Sequence, residues 1–312
     1  MFSLVQKRRW YFVISAILIL PGIVAMIYST ISLGSPFRLS VDFTGGSMWE
    51  LSFSQPASPD RVRSILADAG FGDATVQAVG NERNLSIRTR QMELETKQAL
   101  QEAFAQEFGE TTELRFESVG PIIGYETARS AILAILASSL AILFFIAIAF
   151  RKVPNAFRYG VCAITKMLHD VLFLLGVASI LGVFAGWEVD SLFLTAVLTV
   201  VGFSVQDVIV VFDRIRENIP RRRGEPFETI VNRSLLETIH RSLATQLNAI
   251  FVMVAIILYG GATIKQFMLT MLIGMVTGTY SSIFFAVPLL VVWEKGEIGH
   301  LFRRLSGRRS AA

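Results

Sequence analysis

Cysteine and histidine are scarce in this chain, and their scarcity excludes several classes of site. The one cysteine, Cys162, rules out an intrachain disulfide, so redox arguments do not fix a compartment. His169 offers no metal-binding set, and the sequence contains no nucleophile elbow and no phosphate-binding loop. We therefore predict no enzymatic activity and no cofactor.

Charge is also scarce. Charged residues make up 17% of the 312 residues and hydrophobic residues 53%, with a mean hydropathy of +0.54. This composition is too apolar for an ordinary soluble domain, and several runs reach the roughly 20 residues that a bilayer-spanning helix needs. The net charge of +4 does not indicate a nucleic-acid partner, because the basic residues cluster beside the ends of apolar runs. The sequence predicts an integral membrane protein in contact with lipid.

Six apolar segments are long enough to span the membrane. We place them at about 10–33, 128–150, 159–185, 191–212, 241–259 and 267–293. The first could instead be a secretory signal peptide, but it is longer than a typical signal core and no Ala-x-Ala site follows it. We therefore favour an uncleaved first span.

The region between the first two spans has a different character, with frequent charged and turn residues. Strand-like stretches at 47–53, 75–79, 85–90 and 112–119 alternate with helical stretches at 58–69 and 92–108. The order β-α-β-β-α-β is that of the ferredoxin-like split βαβ unit. We predict an α-helical membrane protein with a small α+β domain: a first span (1–35), a ferredoxin-like extracytoplasmic domain (36–122), spans two to six with cytoplasmic loops (123–295) and a basic cytoplasmic tail (296–312).

Lysine and arginine in the short loops predict the orientation of the spans. One side carries Lys7–Arg9, Arg151, Lys152, Arg158, the arginines from 214 to 233, Lys295 and the arginines from 303 to 309. The other side offers only Lys265 in its short loops. Because positive loops stay inside, both termini are predicted to be cytoplasmic and the small domain to be outside.

The fourth span contains a carboxylate, Asp207, whose burial in hydrocarbon costs from roughly 3 to above 10 kcal/mol. Asp207 and Arg241 lie equally far either side of Gly224 in the turn that follows. In an antiparallel helix pair, residues equidistant from the turn lie at similar depth, so we predict that the two charges face each other. Two interpretations stay open: a protonation switch, or a static ion pair that locks the hairpin.

Polar and small residues accompany Asp207 on this span. At about 100° per residue, one stripe holds Thr195, Thr199, Gly202, Gln206 and Asp213. We predict that Thr199 and Gln206 belong to the proton path with Asp207 and Arg241. The small residues Gly202, Gly274, Gly278 and Ser282 are predicted to allow close helix packing.

A second polar group lies in the third span. Lys166 and Asp170 are four residues apart, so they can form an i,i+4 ion pair, and His169 adjoins them. A relay and a local pair are both possible, and we favour a structural pair near the interface. The segment Asp213–Asn218, with Arg214 and Arg216, is predicted to be the cytoplasmic exit of the fourth span.

Several motifs together resemble the SecF family of bacterial protein-export subunits. Val41-Asp-Phe-Thr-Gly-Gly46, with Asp42, Gly45 and Gly46, resembles the motif that opens the family's soluble domain. The stretch from Gly202 to Asn218 resembles the family's fourth-helix signature, although Phe203 and Gln206 stand where tyrosine and asparagine are more frequent. His169-Asp170, Asn232-x-Ser234, Thr238-x-x-Arg241, the stretch 267–274 and the motif from Gly278 to Ser282 are also similar.

This resemblance implies one half of a transporter of the resistance-nodulation-division superfamily, located in the bacterial plasma membrane. It implies SecD, YajC and the SecYEG channel as partners and a translocating preprotein as cargo. It also implies that Asp207 and Arg241 take part in proton conduction. Three hypotheses follow: a proton-driven motor subunit of secretion, a structural subunit that stabilises SecD and the channel, and half of a small-molecule exporter.

Overall fold

The computed structural model describes residues 3–79, 81–150 and 156–297, which fall into two compact units. One unit, the small unit, comprises residues 39–134, and the other, the membrane unit, comprises residues 1–38 together with 135–312. Of the predicted basic tail, residues 298–312 lie outside the described residues, as do Arg151 and Lys152 of the second loop.

The helices and strands follow one another in the order that the hydropathy pattern predicts. After a short 3-10 turn (Val5–Lys7) they are α1 (Arg8–Leu33), α2 (Val41–Thr44), β1 (Gly46–Phe53), α3 (Pro59–Asp68), β2 (Thr75–Val79), β3 (Asn81–Thr89), α4 (Leu94–Phe108), β4 (Thr111–Val119), α5 (Pro121–Phe150), α6 (Ala156–Ala185), α7 (Ser191–Arg221), α8 (Phe227–Tyr259), α9 (Ala262–Ser281) and α10 (Val287–Glu294). A π-helical turn, Ser282–Ala286, joins α9 to α10.

The small unit has the predicted ferredoxin-like fold. Its four strands form one antiparallel sheet in the order β2-β3-β1-β4. The strand β1 therefore lies inside the sheet, paired with β3 on one side and with β4 on the other. Trp49, Leu51 and Phe53 alternate along β1 and are buried, and Phe53 meets Phe104 and Phe108 of α4 edge to face. The apolar side chains that alternate along β1 therefore pack in one core with those on the inward face of α4.

Six helical segments are long and apolar enough to cross a membrane, as predicted. They are Val5–Leu33, Pro121–Ala149, Phe157–Ala185, Ser191–Arg221, Phe227–Tyr259 and Ile264–Glu294, the last of which runs through α9, the π-helical turn and α10. Together with the small sheet domain, they confirm the predicted fold class.

The helices extend beyond the apolar runs that predicted them. The predicted fifth span begins at residue 241, but α8 begins at Phe227, and α7 continues to Arg221 beyond the predicted end at 212. Hydropathy does not reveal these extensions because their inward faces are partly polar. Asn218 on α7, for example, donates a 2.9 Å hydrogen bond to Ser234 of α8.

Helix α7 is the central helix of the membrane unit, packed against α6, α8 and α9. Its buried residues share a core with the other helices, in which the ring of Phe212 meets Tyr159 of α6 edge to face at 5.3 Å. Elsewhere α1 crosses α6 closely: a Cβ on Gly22 would lie 2.5 Å from the Cα atom of Gly176. This packing holds α7 between its neighbours and positions the polar residues described next.

Candidate intramembrane ion site

Asp207 lies near the middle of α7 with 8% of its surface exposed. Its carboxylate accepts a hydrogen bond of 2.5 Å from the side-chain amide of Gln246 on α8, which is itself 4% exposed. Among the described residues Asp207 makes no ion pair. The carboxylate is therefore held by a neutral donor rather than by a cation.

Arg241 is not the partner of Asp207, and this corrects the prediction from depth. The side chain of Arg241 is exposed, and within the described chain it forms no salt bridge. Gln246 lies five residues further along α8, which is about 7.5 Å along the helix and about 140° around it. The buried face of α8 carries Thr238, Ser242 and Gln246 at intervals of four residues, and Arg241 lies off that face.

The equidistance rule itself holds, but with a different centre. The hydrogen bonds Asn218–Ser234 and Asp207–Gln246 place the point of symmetry of the α7–α8 pair at Pro226 or just beyond it, two residues past Gly224. A shift of two residues in the centre moves the expected partner by about one turn. The shifted centre explains why the observed partner of Asp207 is Gln246 and the predicted partner was Arg241.

Thr199 and Gln206 are the other predicted members of the path, and among the described residues neither side chain forms a hydrogen bond with Asp207. The Thr199 hydroxyl donates to the carbonyl of Thr195 in its own helix at 2.7 Å, and Gln206 is exposed. Both belong to the predicted polar stripe of α7, on which Thr195, Gly202 and Gln206 are exposed and Thr199 is half-buried. This stripe faces away from the rest of the chain.

The pair in the third span is more deeply buried than predicted. Lys166 and Asp170 on α6 are 0% and 1% exposed, and the Lys166 Nζ lies 2.9 Å from an Asp170 carboxylate oxygen. The i,i+4 pairing is thus confirmed. Asp170 lies at the middle of the helical segment Phe157–Ala185, and the place of the pair near the interface stays a prediction.

Ser204 of α7 completes this buried pair. The Lys166 ammonium donates to the Ser204 carbonyl at 2.8 Å and also to the Ser204 hydroxyl, and that hydroxyl donates to Asp170. All three protons of the ammonium therefore have acceptors, as a buried lysine requires. The signal in the sequence was a lysine and an aspartate one turn apart inside an apolar run.

His169 adjoins the same cluster. Its Nδ1 lies 3.1 Å from the second carboxylate oxygen of Asp170, and its ring stacks at 4.5 Å on Phe285 of the π-helical turn. His169 is 4% exposed, and its Nε2 has no hydrogen-bond partner among the described residues. π-helical turns are frequent at functional sites, where they change the direction of side chains.

Small residues let α9 approach α7 closely. A Cβ on Gly274 would lie 2.5 Å from a methyl carbon of Val200, so the two helices leave no space there for a side chain. At Gly278 a Cβ would meet Ser204 at an ordinary 3.6 Å, and the Ser282 hydroxyl donates to the Gly278 carbonyl at 2.7 Å. A Cβ on Gly202, by contrast, would meet nothing within 4 Å.

The charged end of α7 forms ion pairs of its own, separate from Asp207 and from the Lys166–Asp170 pair. Asp213 pairs with Arg216 at 2.8 Å, and Arg214 pairs with Glu237 of α8 at 2.6 Å. All four side chains are between 30% and 48% exposed, and such pairs contribute little stability. These residues are thus partly exposed at the end of α7, and their place at the cytoplasmic exit of the span stays a prediction.

The paired glycines of the small domain have a backbone role. Gly45 and Gly46 have φ angles of 71° and 109°, which residues with a Cβ rarely adopt. A Cβ on Gly46 would also lie 2.5 Å from the carbonyl oxygen of Thr89 in β3. Asp42 lies in the short helix α2, where its N–H donates to the Ser40 hydroxyl at 3.2 Å.

The two buried carboxylates of the membrane unit thus differ in what they can do. Asp170 is fixed by an ammonium and a hydroxyl, so its protonation would leave Lys166 without its counter-charge. Asp207 could take up a proton without stranding a cation, since its partner is a neutral amide. No group of three or more possible metal ligands occurs among the residues described.

Two family models match the chain. The model described as "Protein export membrane protein SecD/SecF, C-terminal" matches residues 99–296, and the "SecD/SecF GG Motif" matches residues 30–57. The first covers the last part of the small domain and five spans, including Asp207, Gln246 and the Lys166–Asp170 pair. The second contains Gly45 and Gly46.

Curated relatives match over the whole chain. The protein translocase subunit SecF of Thermobaculum terrenum is 45% identical over 322 residues, with 100% of both chains covered. That of Anaerolinea thermophila is 45% identical over 308 residues, covering 97% of this chain and 98% of the relative.

Solved structures of SecDF match as well. The crystal structure of SecDF from Thermus thermophilus, described as a translocon-associated membrane protein, has a TM-score of 0.78 and 32% identity. The match covers 94% of this chain but only 39% of the SecDF chain. A second SecDF structure, in a super-membrane-facing form, has a TM-score of 0.65 and 31% identity, and 40% of that chain is covered.

Proposed function

Since the chain belongs to the SecD/SecF family of protein export membrane proteins, as a SecF-type subunit of protein translocase, we propose that it couples proton flow to preprotein export. In this proposal the proton motive force acts through the membrane unit during the late stage of export, and Asp207 is the group that takes up and releases the proton.

The observation that carries the proposal is the environment of Asp207. A carboxylate at the middle of a span is costly, so such a residue either pairs with another group or marks a functional site. Within the part of the chain that the structure describes, Asp207 has no cation in hydrogen-bonding contact and one neutral donor, Gln246. Both protonation states are therefore compatible with the surrounding packing, which is the property that a proton carrier requires.

The exposed polar stripe supports a docking face for the SecD partner. Thr195, Gly202 and Gln206 on α7 are exposed, as are Arg241 and Asn248 on α8. Polar groups and an arginine are unsuited to lipid, so a second protein half is the best cover for this face. In this arrangement Arg241 serves the interface with SecD.

We also propose the remaining topology and partners on the basis of the family and the charge pattern. Both termini are cytoplasmic, and residues 36–122 form the extracytoplasmic domain. The SecYEG channel, YajC and the emerging preprotein are the further partners. The predicted membrane segments, residues 1–35 and 123–295, are embedded in the lipid of the plasma membrane.

The proposal is tested by replacing Asp207 with asparagine in membranes that keep the translocase complex intact. Completion of preprotein export, measured with and without a proton gradient, should lose its gradient-dependent part. The matched control is Asp213→Asn, on the same helix but 48% exposed and ion-paired at its end. If the Asp207 variant keeps gradient-dependent export, the subunit supports SecD and the channel without conducting protons.

The role of Arg241 is tested separately. Arg241→Met should leave the thermal stability of the isolated subunit unchanged, because the described residues give this side chain no partner in its own chain. Recovery of SecD with the tagged subunit should fall. Unchanged recovery of SecD would place Arg241 outside the interface.

A further inference from the structure

The buried pair on α6 is an unexplained charged centre in the membrane unit. Lys166 and Asp170 are 0% and 1% exposed, so both charges have been taken completely out of water. Replacing such a pair by well-packed apolar residues is often neutral or stabilising, so a buried pair is weak evidence of a purely stabilising role. Its place at the middle of a span points to a function.

The position of the Lys166 ammonium relative to Asp207 suggests what that function is. Lys166 reaches across from α6 and donates to the carbonyl and the hydroxyl of Ser204 on α7. Ser204 is three residues before Asp207, and residues three apart on a helix are neighbours at about 5 to 6 Å. Both are buried on α7, so a fixed positive charge lies about one turn from the exchangeable carboxylate.

Resting on the proposed function, we infer that Lys166 is a positioning residue for Asp207. Its ammonium, which binds Ser204 on α7 and Asp170 on α6, supplies the internal positive charge against which Asp207 exchanges its proton. From the sequence, we had predicted this role for Arg241.

The other titratable groups around α7 leave this role to Lys166. On α8 the nearest candidates, His240 and Arg241, are both exposed. On α9 Tyr280 donates to the carbonyl of Tyr11, on α1. Lys166, by contrast, is buried and donates to Ser204, three residues before Asp207 on α7.

Asp170 has the complementary task of keeping Lys166 in place. It binds the ammonium directly and also accepts the Ser204 hydroxyl, so Lys166 is held on α7 from two directions. His169 contacts the other oxygen of Asp170 at 3.1 Å and fixes the orientation of that carboxylate. The ammonium is therefore held beside Asp207 instead of forming a direct ion pair with it.

The test uses the chain reconstituted with its SecD partner in proteoliposomes. Proton uptake under an imposed gradient is followed as a function of pH for the parent and for Lys166→Met/Asp170→Asn, which removes both charges and strands neither. Without the ammonium, ionised Asp207 is less favoured, so the half-maximal pH should rise by about one unit. Lys166→Met alone removes the ammonium and leaves Asp170 in place, so it should also raise the half-maximal pH.

The matched control is Thr165→Val, which removes a polar group from α6 that is bonded only to its own helix, at the Val161 carbonyl. Its pH profile should equal that of the parent. An unchanged half-maximal pH in the double variant would overturn the inference and make the pair a structural brace. If the double variant does not fold, an unchanged or lowered midpoint in Lys166→Met has the same consequence.

Failure of the proposed function itself would look different. In that case Asp207→Asn would conduct protons as the parent does, and the pH profiles of the Lys166 variants would have no Asp207-dependent component to shift. The Asp207→Asn arm, measured in the same proteoliposomes, therefore separates the two outcomes.

Discussion

Gln246 is the residue whose substitution tests the geometry at Asp207 most sharply. Its amide donates to the carboxylate at 2.5 Å, with both side chains buried. A hydrogen bond to a charged acceptor contributes about 1.5 to 3 kcal/mol, and each unit of pH corresponds to about 1.4 kcal/mol. Gln246→Leu should therefore move the protonation midpoint of Asp207 upwards by about 1 to 2 pH units.

The assay is an infrared titration of the reconstituted complex, in which the carboxyl band lost in Asp207→Asn identifies Asp207. Gln246→Glu should give a larger shift in the same direction, since a second carboxylate would repel the first. Ser242→Ala is the matched control, because Ser242 is buried on the same face of α8 one turn away. If Gln246→Leu titrates like the parent, Gln246 does not stabilise the ionised form of Asp207.

Two glycine substitutions test the packing. Gly274→Val should destabilise the membrane unit by about 1 to 3 kcal/mol, because its side chain overlaps Val200, whereas Gly202→Ala should leave thermal unfolding of the isolated subunit nearly unchanged. Gly46→Ala should destabilise the small domain by at least about 1 kcal/mol, since φ is 109° and the new Cβ meets a β3 carbonyl. Gly72→Ala is its control, and equal proteolysis of the two variants would contradict the argument.

Most of the fold could be predicted from the sequence because the pattern is local. Apolar runs of membrane-spanning length gave six spans, and the alternation in β1 and the helical period in α4 gave the small domain. Helix ends were less predictable. The inward face of the first 14 residues of α8 carries the polar residues Asn232, Ser234 and Thr238. Because this segment is not apolar, a hydropathy pattern predicts a loop there.

The site was predictable only in part, because it depends on which face each helix turns inward. Asp207 was found, since one carboxylate in an apolar run is conspicuous. Its partner was not, because Arg241 is the more conspicuous charge while the neutral Gln246 lies on the buried face. A helix places neighbours one residue apart about 100° from each other, so a small error in register exchanges a buried residue for an exposed one.

The complete burial of the Lys166–Asp170 pair could not be predicted from the sequence, for a different reason. The third apolar run without charges is short, which favours placing the pair near its end. The structure extends α6 from Ala156 to Ala185 and supplies Ser204 from α7, so that the pair can be buried at the middle of the span. That partner on another helix has no signal in the local sequence.

The most direct test of the central claim is proton flux through the reconstituted subunit and its SecD partner, compared between the parent and Asp207→Asn. Liposomes containing a pH-sensitive dye would report uptake under an imposed gradient. The account predicts gradient-driven uptake in the parent and its loss in Asp207→Asn, with assembly of the complex unchanged. Equal uptake by the two proteins would contradict the claim that Asp207 carries the proton.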